Sequence, residues 1–347
     1  MRVLVALSGG VDSAVAAARL LDAGHDVAGV HLALLQDVGA SSAQARRAAN
    51  ELGIELDVWD LAQAFTDEVV GDFVGEYAAG RTPNPCLRCN ATIKFGALLE
   101  RGLALGFDAL ATGHYARLER TGGSVRLLRS PARGKDQSYV LGVLRQEQLR
   151  HVWFPLGDVA SKDDVRAEAA RRGLAMAGEP DSTDICFIPD GGAAGYLRAA
   201  LGARPGEIVD ADGAVVGTHS GAYQFTVGQR RGLRLTTPAT DGRPRFVLRV
   251  DAAANKVIVG PRAGLAARRI RGSALTWTGD PAPGPWHGLA QWRAHQAPVA
   301  ATFAVVDDAL VATLDAPAYG VAPGQRLVLY DGDYVIGSAV IEGSDAC

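Results

Sequence analysis

Residues Arg2 to Ser13 read RVLVALSGGVDS, and this stretch decides the fold of the first half of the chain. The apolar run Arg2 to Leu7 predicts a strand, and a helical pattern follows from about Asp12 to Ala23, where Gly24 stops it. Between them lies Ser8-Gly9-Gly10-Val11-Asp12-Ser13 (SGGVDS). Its glycines allow the backbone to approach an anion closely, and the free N–H groups at the start of the helix supply the positive end. The hydroxyls of Ser8 and Ser13 add donors, so the turn reads as a phosphate cradle. It is not a Walker A loop, which needs a lysine after the second glycine, and the chain has no G-x-G-x-x-G dinucleotide fingerprint. A plain glycine turn with a polar helix cap is the bland alternative. A nucleophile elbow built on Ala6-Leu7-Ser8-Gly9-Gly10 expects earlier strands to carry an oxyanion loop, and it ranks last.

Working outward, strands are expected at Val27 to Leu34, Leu56 to Trp59 and Asp108 to Thr112. Helices are expected from Ser41 or Ser42 to Leu52, from about Ala62 to Ala79, and from about Ala91 to Leu105 with Asn90 as cap. Repeated strand–helix units imply an α/β fold: a doubly wound parallel sheet that binds ligands at the carboxyl ends of its strands. After about Gly192 the texture changes to short alternating strands broken by Gly, Pro and Asp, including a hairpin of Arg245 to Val250 with Lys256 to Val259. Further strands are expected at Val299 to Val306, Ala309 to Leu314, Arg326 to Tyr330 and Val335 to Ile341, with Asp280 to Trp286 as a loop. The expected division is a catalytic domain over 1–192, a small central β-containing domain over 193–264 and a C-terminal β-barrel over 265–347.

A chain of 347 residues exceeds what one core usually serves, which agrees with several domains. Hydrophobic residues make up 48%, charged residues 21%, and the formal net charge is −3. These values describe an ordinary soluble protein, not one coated in basic charge for nucleic acid, although a local basic face is compatible with them. No apolar run is long enough to span a membrane, and the start is apolar too briefly for a secretory signal, so the expected location is the cytoplasm.

Four cysteines are too few for a disulfide scaffold in a chain of this size. Two of them, Cys86 and Cys89, stand in TPNPCLRCN (Thr82 to Asn90); a third, Cys186, stands in DICFI (Asp184 to Ile188), which reads as an apolar strand. Cys347 is terminal and is assigned no role. Cys89 just before a helix, with Arg88 and Lys94 near it in sequence, predicts a thiol pKa below the free value of about 8.5. A structural zinc site needs four ligands, and three thiols without paired histidines do not supply them. Three thiols suit an iron–sulfur cluster, and two suit thiol–disulfide exchange. Both are uses in sulfur chemistry.

SGGVDS after the first strand resembles the pyrophosphate loop of the PP-loop ATP pyrophosphatase superfamily, whose members adenylate a carbonyl oxygen. More of the chain resembles one family within it, the tRNA-specific 2-thiouridylases (MnmA). The matching motifs are SGGVDS, TPNPCLRCNATIKF (Thr82 to Phe95), ATGHYAR (Ala111 to Arg117), GKDQSYVL (Gly134 to Leu141), DICFIPDG (Asp184 to Gly191), GTHSGAYQFTVGQRRGL (Gly217 to Leu233) and APGQRLVLYDGDYVIG (Ala322 to Gly337). The resemblance implies a PP-loop domain followed by a central domain and a β-barrel. It implies ATP with Mg²⁺ held by Ala6, Leu7, Ser8, Gly9, Gly10, Val11, Asp12 and Ser13, with Leu32 and Gly113 beside the nucleotide. It makes Cys89 the catalytic nucleophile and Cys186 the carrier of a persulfide, and it places His114, Lys135, Asp136, Gln137 and Gln325 against tRNA.

The partners it implies are tRNA, a persulfide donor protein such as a cysteine desulfurase or sulfur relay, and a reductant. Many members of the family have Asp where this chain has Cys86, so no acid/base role carries over to that position. The extra thiol raises the alternative of a [4Fe–4S] cluster on Cys86, Cys89 and Cys186. A different class, a non-catalytic RNA binder with a vestigial nucleotide loop, rests on the arginines at Arg230, Arg231, Arg234 and between Arg262 and Arg271.

Overall fold

The structure is a computed structural model, and it describes all residues except 36–37, 180–184, 189–191, 238–240, 281–283 and 347, with the side chains of 38–41 and 346 also outside the description. Short runs built mainly on Val, Leu and Ala give parallel strands β1 (Arg2–Ala6), β2 (Asp26–Ala33), β3 (Leu56–Asp60) and β4 (Ala109–Ala111). A hairpin, β5 (Ala116–Thr121) and β6 (Ser124–Arg129), then precedes β7 (Val152–Trp153), and the parallel sheet has the order β3-β2-β1-β4-β7. Residues Val3, Val5 and Leu7 pack with Ala17, Leu20, Ala45 and Ala49 of helices α1 (Val11–Asp22) and α2 (Val38–Leu52), which covers one face. Helix α2 already runs from Val38, so neither Ser41 nor Ser42 starts it; Ser42 is buried within the helix.

Two long helical rods shape the region beyond β3. The first, α3, runs on through Ala62–Phe65, a π-helical turn Thr66–Val70 and Gly71–Ala78. The second, α4, runs through Pro85–Cys89, a π-helical stretch Asn90–Leu98 and Leu99–Ala104. Its start differs from expectation for a clear reason. Asn84 accepts the Cys86 N–H at 3.0 Å and Pro85 occupies the first helical position, the preferred pairing of cap and proline. Asn90 is buried inside the rod and donates its side-chain amide to the Val140 carbonyl at 3.0 Å.

Helices α5 (Lys162–Arg171) and α6 (Gly192–Leu201) close the first part. Strands β8 (Gly206–Val209), β9 (Val215–His219), β10 (Phe246–Asp251) and β11 (Lys256–Gly260) form a central sheet in the order β10-β11-β8-β9. The last part comprises β12 (Ala266–Trp277), β13 (Trp286–Gln291), β14 (Val299–Val306), β15 (Ala309–Tyr319), β16 (Arg326–Asp331) and β17 (Tyr334–Ala346). Their order β12-β15-β14-β13-β16-β17, with β17 pairing back onto β12, closes a six-stranded antiparallel barrel around Ile270, Phe303, Leu310 and Ile341. Closure leaves that sheet without free edges. The β5–β6 hairpin reaches out of the catalytic part and meets this barrel at Leu128 and Tyr334, so Tyr330, Val328 and Val335 share one core with Leu110, Leu127 and Phe154.

Candidate active site

The strand order places β1 between β2 and β4, so connections leave it in opposite directions and a crevice opens at its carboxyl end. SGGVDS fills that position. Gly9 adopts a φ of +88°, and a Cβ there would sit 2.5 Å from the Gln44 Cβ, so only glycine fits the turn. The Ser13 hydroxyl donates to the Gly10 carbonyl at 3.0 Å and accepts from the Ser8 N–H at 3.3 Å, while the Gly10 N–H reaches the Ser8 hydroxyl at 3.3 Å. Leu7 is buried, Val11 starts α1, and Ala6 ends β1. Gly113, just past β4, lies against the same turn: a Cβ on it would stand 2.8 Å from the Asp12 carbonyl carbon and 2.9 Å from the Ser13 nitrogen. Leu32 lies near the carboxyl end of β2, beside Trp59 of β3 in register. The ten residues expected at the nucleotide thus converge at the carboxyl ends of three adjacent strands.

Asp12 holds two partners that local sequence does not reveal. Tyr115 donates its hydroxyl to Asp12 Oδ1 at 2.6 Å, and the Lys162 ammonium donates to Oδ2 at 2.5 Å. Lys162 is only 11% exposed and stands at the first position of α5, behind the cap Ser161. Gln137 fixes Tyr115 through its side-chain carbonyl, which accepts the Tyr115 N–H at 2.9 Å.

Two of the thiols, Cys86 and Cys89, lie in the first turns of α4. Cys89 is buried among Phe65, Phe73, Ile93, Phe187 and Tyr223. Phe187 anchors the distant segment: its ring packs edge-on against Phe65 at 5.7 Å, Phe73 at 5.3 Å and Tyr196 at 5.5 Å. This brings the neighbouring Cys186 into electrostatic contact with Cys89, although the two are far apart in the chain. Residues Cys186 and Phe187 form a turn, not the expected strand, and Cys186 is exposed while Phe187 is buried. The apolar run that suggested a strand is a turn in which Phe187 is the buried residue.

The expected low pKa of Cys89 is overturned. Burial pushes its thiol up to about 11, with Lys94 pulling the other way and thiolate charge on Cys186 and Cys86 adding to the rise. Cys89 lies a full turn inside α4, away from the free N–H groups, and Arg88 turns outward to Glu68 at 2.5 Å. The thiols of Cys86 and Cys186 are raised too, chiefly by protein packed around the sulfur even though both residues reach solvent. Lys94 favours the thiolate at all three. Among the described residues no three His, Cys, Asp or Glu side chains gather as ligands of one metal ion.

The residues expected against RNA fall into different settings. His114 is buried between Phe95 and Phe154, bonded through Nδ1 to Thr112 at 2.7 Å, and burial holds it neutral, well below the usual histidine range. Lys135 is exposed. The Asp136 carboxylate accepts from Arg129, Ser130 and Ser138 at 3.0 to 3.1 Å and is a structural anchor. Gln325 follows Gly324 on the barrel, and its side-chain carbonyl is buried with no hydrogen-bond partner.

That part of the barrel clamps the thiol-bearing segment. The Thr82 N–H donates to the Pro323 carbonyl at 2.7 Å, and Arg81 bridges Glu76 at 2.8 Å and Glu342 at 2.7 Å. Thr82 also meets Thr226 of the central part at 3.4 Å. A cleft of about 990 Å³ separates the rods from the barrel; Arg81, Arg88, Arg145 and Arg326 line it together with Glu68, Asp72 and Glu342. Its mixed charge marks a seam between domains rather than a phosphate track. Of these site residues, only Asn84 carried a readable sequence signal, as a polar residue directly before a helix-starting proline.

The fold and site define a nucleotide-binding α/β enzyme domain of the HUP class carrying two β domains. A family profile described as "tRNA methyl transferase HUP domain" matches residues 1–190, "tRNA methyl transferase PRC-barrel domain" matches 194–261, and "Aminomethyltransferase beta-barrel domain" matches 267–341. The tRNA-specific 2-thiouridylase MnmA of Cutibacterium acnes is 54% identical over 99% of this chain and 97% of its own length. That of Acidothermus cellulolyticus is 55% identical over 98% and 97%, and that of Streptomyces avermitilis 55% over 98% and 94%. The chain belongs to the tRNA-specific 2-thiouridylase (MnmA) family. Among the described residues no helix is long and apolar enough to cross a membrane.

Proposed function

We propose that this chain is an ATP-dependent tRNA-uridine 2-sulfurtransferase that converts the wobble uridine of tRNA to 2-thiouridine. One observation carries the reading. A glycine-built turn stands at the carboxyl end of β1, and the cluster that holds Cys89 and Phe187, next to Cys186, packs on Leu32, Leu34 and Leu61 at the carboxyl ends of β2 and β3. The methyl-transfer wording of the profiles finds no chemical counterpart in that pairing, whereas sulfur transfer uses both halves.

The phosphates of ATP lie on Ser8 to Ser13, where backbone N–H groups and the start of α1 stabilise negative charge. Asp12 is the carboxylate that fits Mg²⁺, which would offset phosphate charge, and Lys162 stands beside it. The uridine is turned out of its stack, because its ring carbonyl is otherwise out of reach. Its O2 attacks the α-phosphate, pyrophosphate leaves, and the ring carries an adenylate.

Cys186, exposed on its turn, accepts sulfur from a donor protein as a persulfide. The Cys89 thiolate attacks the inner sulfur of that persulfide, forming a Cys89–Cys186 disulfide and releasing hydrosulfide. Hydrosulfide adds at C2 and AMP leaves. A two-electron reductant reopens the disulfide. Because burial keeps Cys89 protonated in the free protein, its proton is lost only as attack begins, with the Lys94 charge favouring the thiolate. Exposed Lys135, with Gln137 and Gln325, is assigned to RNA contact, whereas His114, buried between Phe95 and Phe154, and Asp136, held by Arg129, Ser130 and Ser138, support the fold behind it; the cytoplasm is the assigned location.

Incubation with tRNA, ATP and a persulfide source, followed by mass spectrometry of the nucleosides, tests the reading. 2-Thiouridine is expected from the parent and not from Cys186→Ala. Full thiolation by Cys89→Ser would remove the assigned nucleophile.

A further inference from the structure

Cys86 is the thiol that the mechanism above leaves unused, and its setting differs from that of its neighbours. It occupies the first turn of α4, where Pro85 and the Asn84 cap fix the backbone, and it is exposed while Cys89 is buried. The two are three residues apart on a helical turn, which places their Cα atoms about 5 Å apart and their side chains on one face. That spacing lies inside the range a disulfide bridges. Cys86 is close enough for its charge to act on both Cys89 and Cys186, so the three thiols share one neighbourhood. An outer, solvent-reached thiol one turn from a buried one is the arrangement of a resolving cysteine.

We propose that Cys86 resolves the Cys89–Cys186 disulfide by exchange, so that the enzyme returns to its starting state through a Cys86–Cys89 disulfide. The proposal rests on the sulfur-transfer reading above. The Cys86 thiolate attacks the Cys89 sulfur, the Cys86–Cys89 bond forms, and the bond to Cys186 breaks. Cys186 leaves as a thiolate and takes a proton from solvent. The exchange is redox-neutral: one disulfide replaces another, and Cys186 is free to accept sulfur again. The C-x-x-C disulfide then presents the exposed Cys86 sulfur to an external dithiol, which supplies the two electrons and leaves as its own disulfide.

The experiment uses the full chain with tRNA, ATP and a persulfide source but no reductant, quenched with an alkylating agent, with disulfides mapped by peptide mass spectrometry. In the parent, Cys86–Cys89 is expected to accumulate with Cys186 alkylated. In Cys86→Ser, the first equivalent of 2-thiouridine forms and Cys89–Cys186 is trapped. Later turnovers of this variant, driven by a dithiol protein, are expected to slow at least about tenfold. Accumulation of Cys89–Cys186 in the parent, parental recycling by Cys86→Ser, or loss of its first turnover each overturns the resolving role. If Cys86→Ser makes 2-thiouridine without forming any disulfide, the disulfide-forming step itself is wrong and the proposal falls with it. The two failures are therefore distinguishable.

Discussion

The thiol of Cys89 is held at a pKa of about 11 by burial, and this has a measurable consequence. At pH 7.5 about one molecule in 3,000 carries the thiolate, against about one in 11 for a free thiol of pKa about 8.5. A more basic thiolate is also more nucleophilic, which with a Brønsted slope of about 0.4–0.5 returns roughly a factor of 13. The net expectation is alkylation of Cys89 about 20-fold slower than a free cysteine, with a rate that climbs about tenfold per pH unit through pH 10. The assay is iodoacetamide labelling of the protein without ATP or RNA, followed by quantification of the Cys89 peptide. Lys94→Gln removes the charge that favours the thiolate at all three cysteines and is expected to lower the neutral-pH labelling further. A Cys89 profile that levels off at or below pH 9, or labelling unaffected by Lys94→Gln, would refute the argument that burial controls this thiol.

Other perturbations follow from the same geometry. Gly113→Ala forces a methyl group against the Asp12 and Ser13 backbone and is expected to cost about 1–3 kcal/mol in denaturant unfolding and to raise the KM for ATP. Lys162→Ala strips Asp12 of its ammonium partner, and pyrophosphate release dependent on tRNA is expected to fall at least about tenfold while the fold, followed by circular dichroism, persists. His114 has a folded pKa below its unfolded value, so the unfolded chain binds the proton first and stability drops as pH falls below about 6.5; His114→Phe should lack that acid loss in thermal unfolding at pH 5 against pH 7. Arg81 holds Glu342 below the usual glutamate range, so their contact is intact above that range and weakens as pH falls through the lowered value; Arg81→Gln is expected to remove this step from proteolysis of the 82–90 segment.

The sequence by itself determined the parts whose cause is local. Period and glycine punctuation located β1, α1, β2 and β3 to within a residue or two, and SGGVDS announced the phosphate turn because only a glycine tolerates a φ of +88° against Gln44. The start of α4 was misread although its signal was present, since Asn84 before Pro85 is a stronger cap than Asn90 inside the rod. Tertiary structure decided what depends on distant contact. Phe187 seating against Phe65 and Phe73 sets Cys186 near Cys89, and no spacing along the chain encodes that. Burial reversed the direction of the Cys89 pKa, because the thiol lies a turn inside the helix and desolvation in the aromatic cluster outweighs Lys94. The partners of Asp12 come from Tyr115 and Lys162, and the clamp on the TPNPC segment comes from Pro323 and Glu342. A local pattern specifies backbone conformation, whereas the charge state and partners of a side chain depend on everything folded around it.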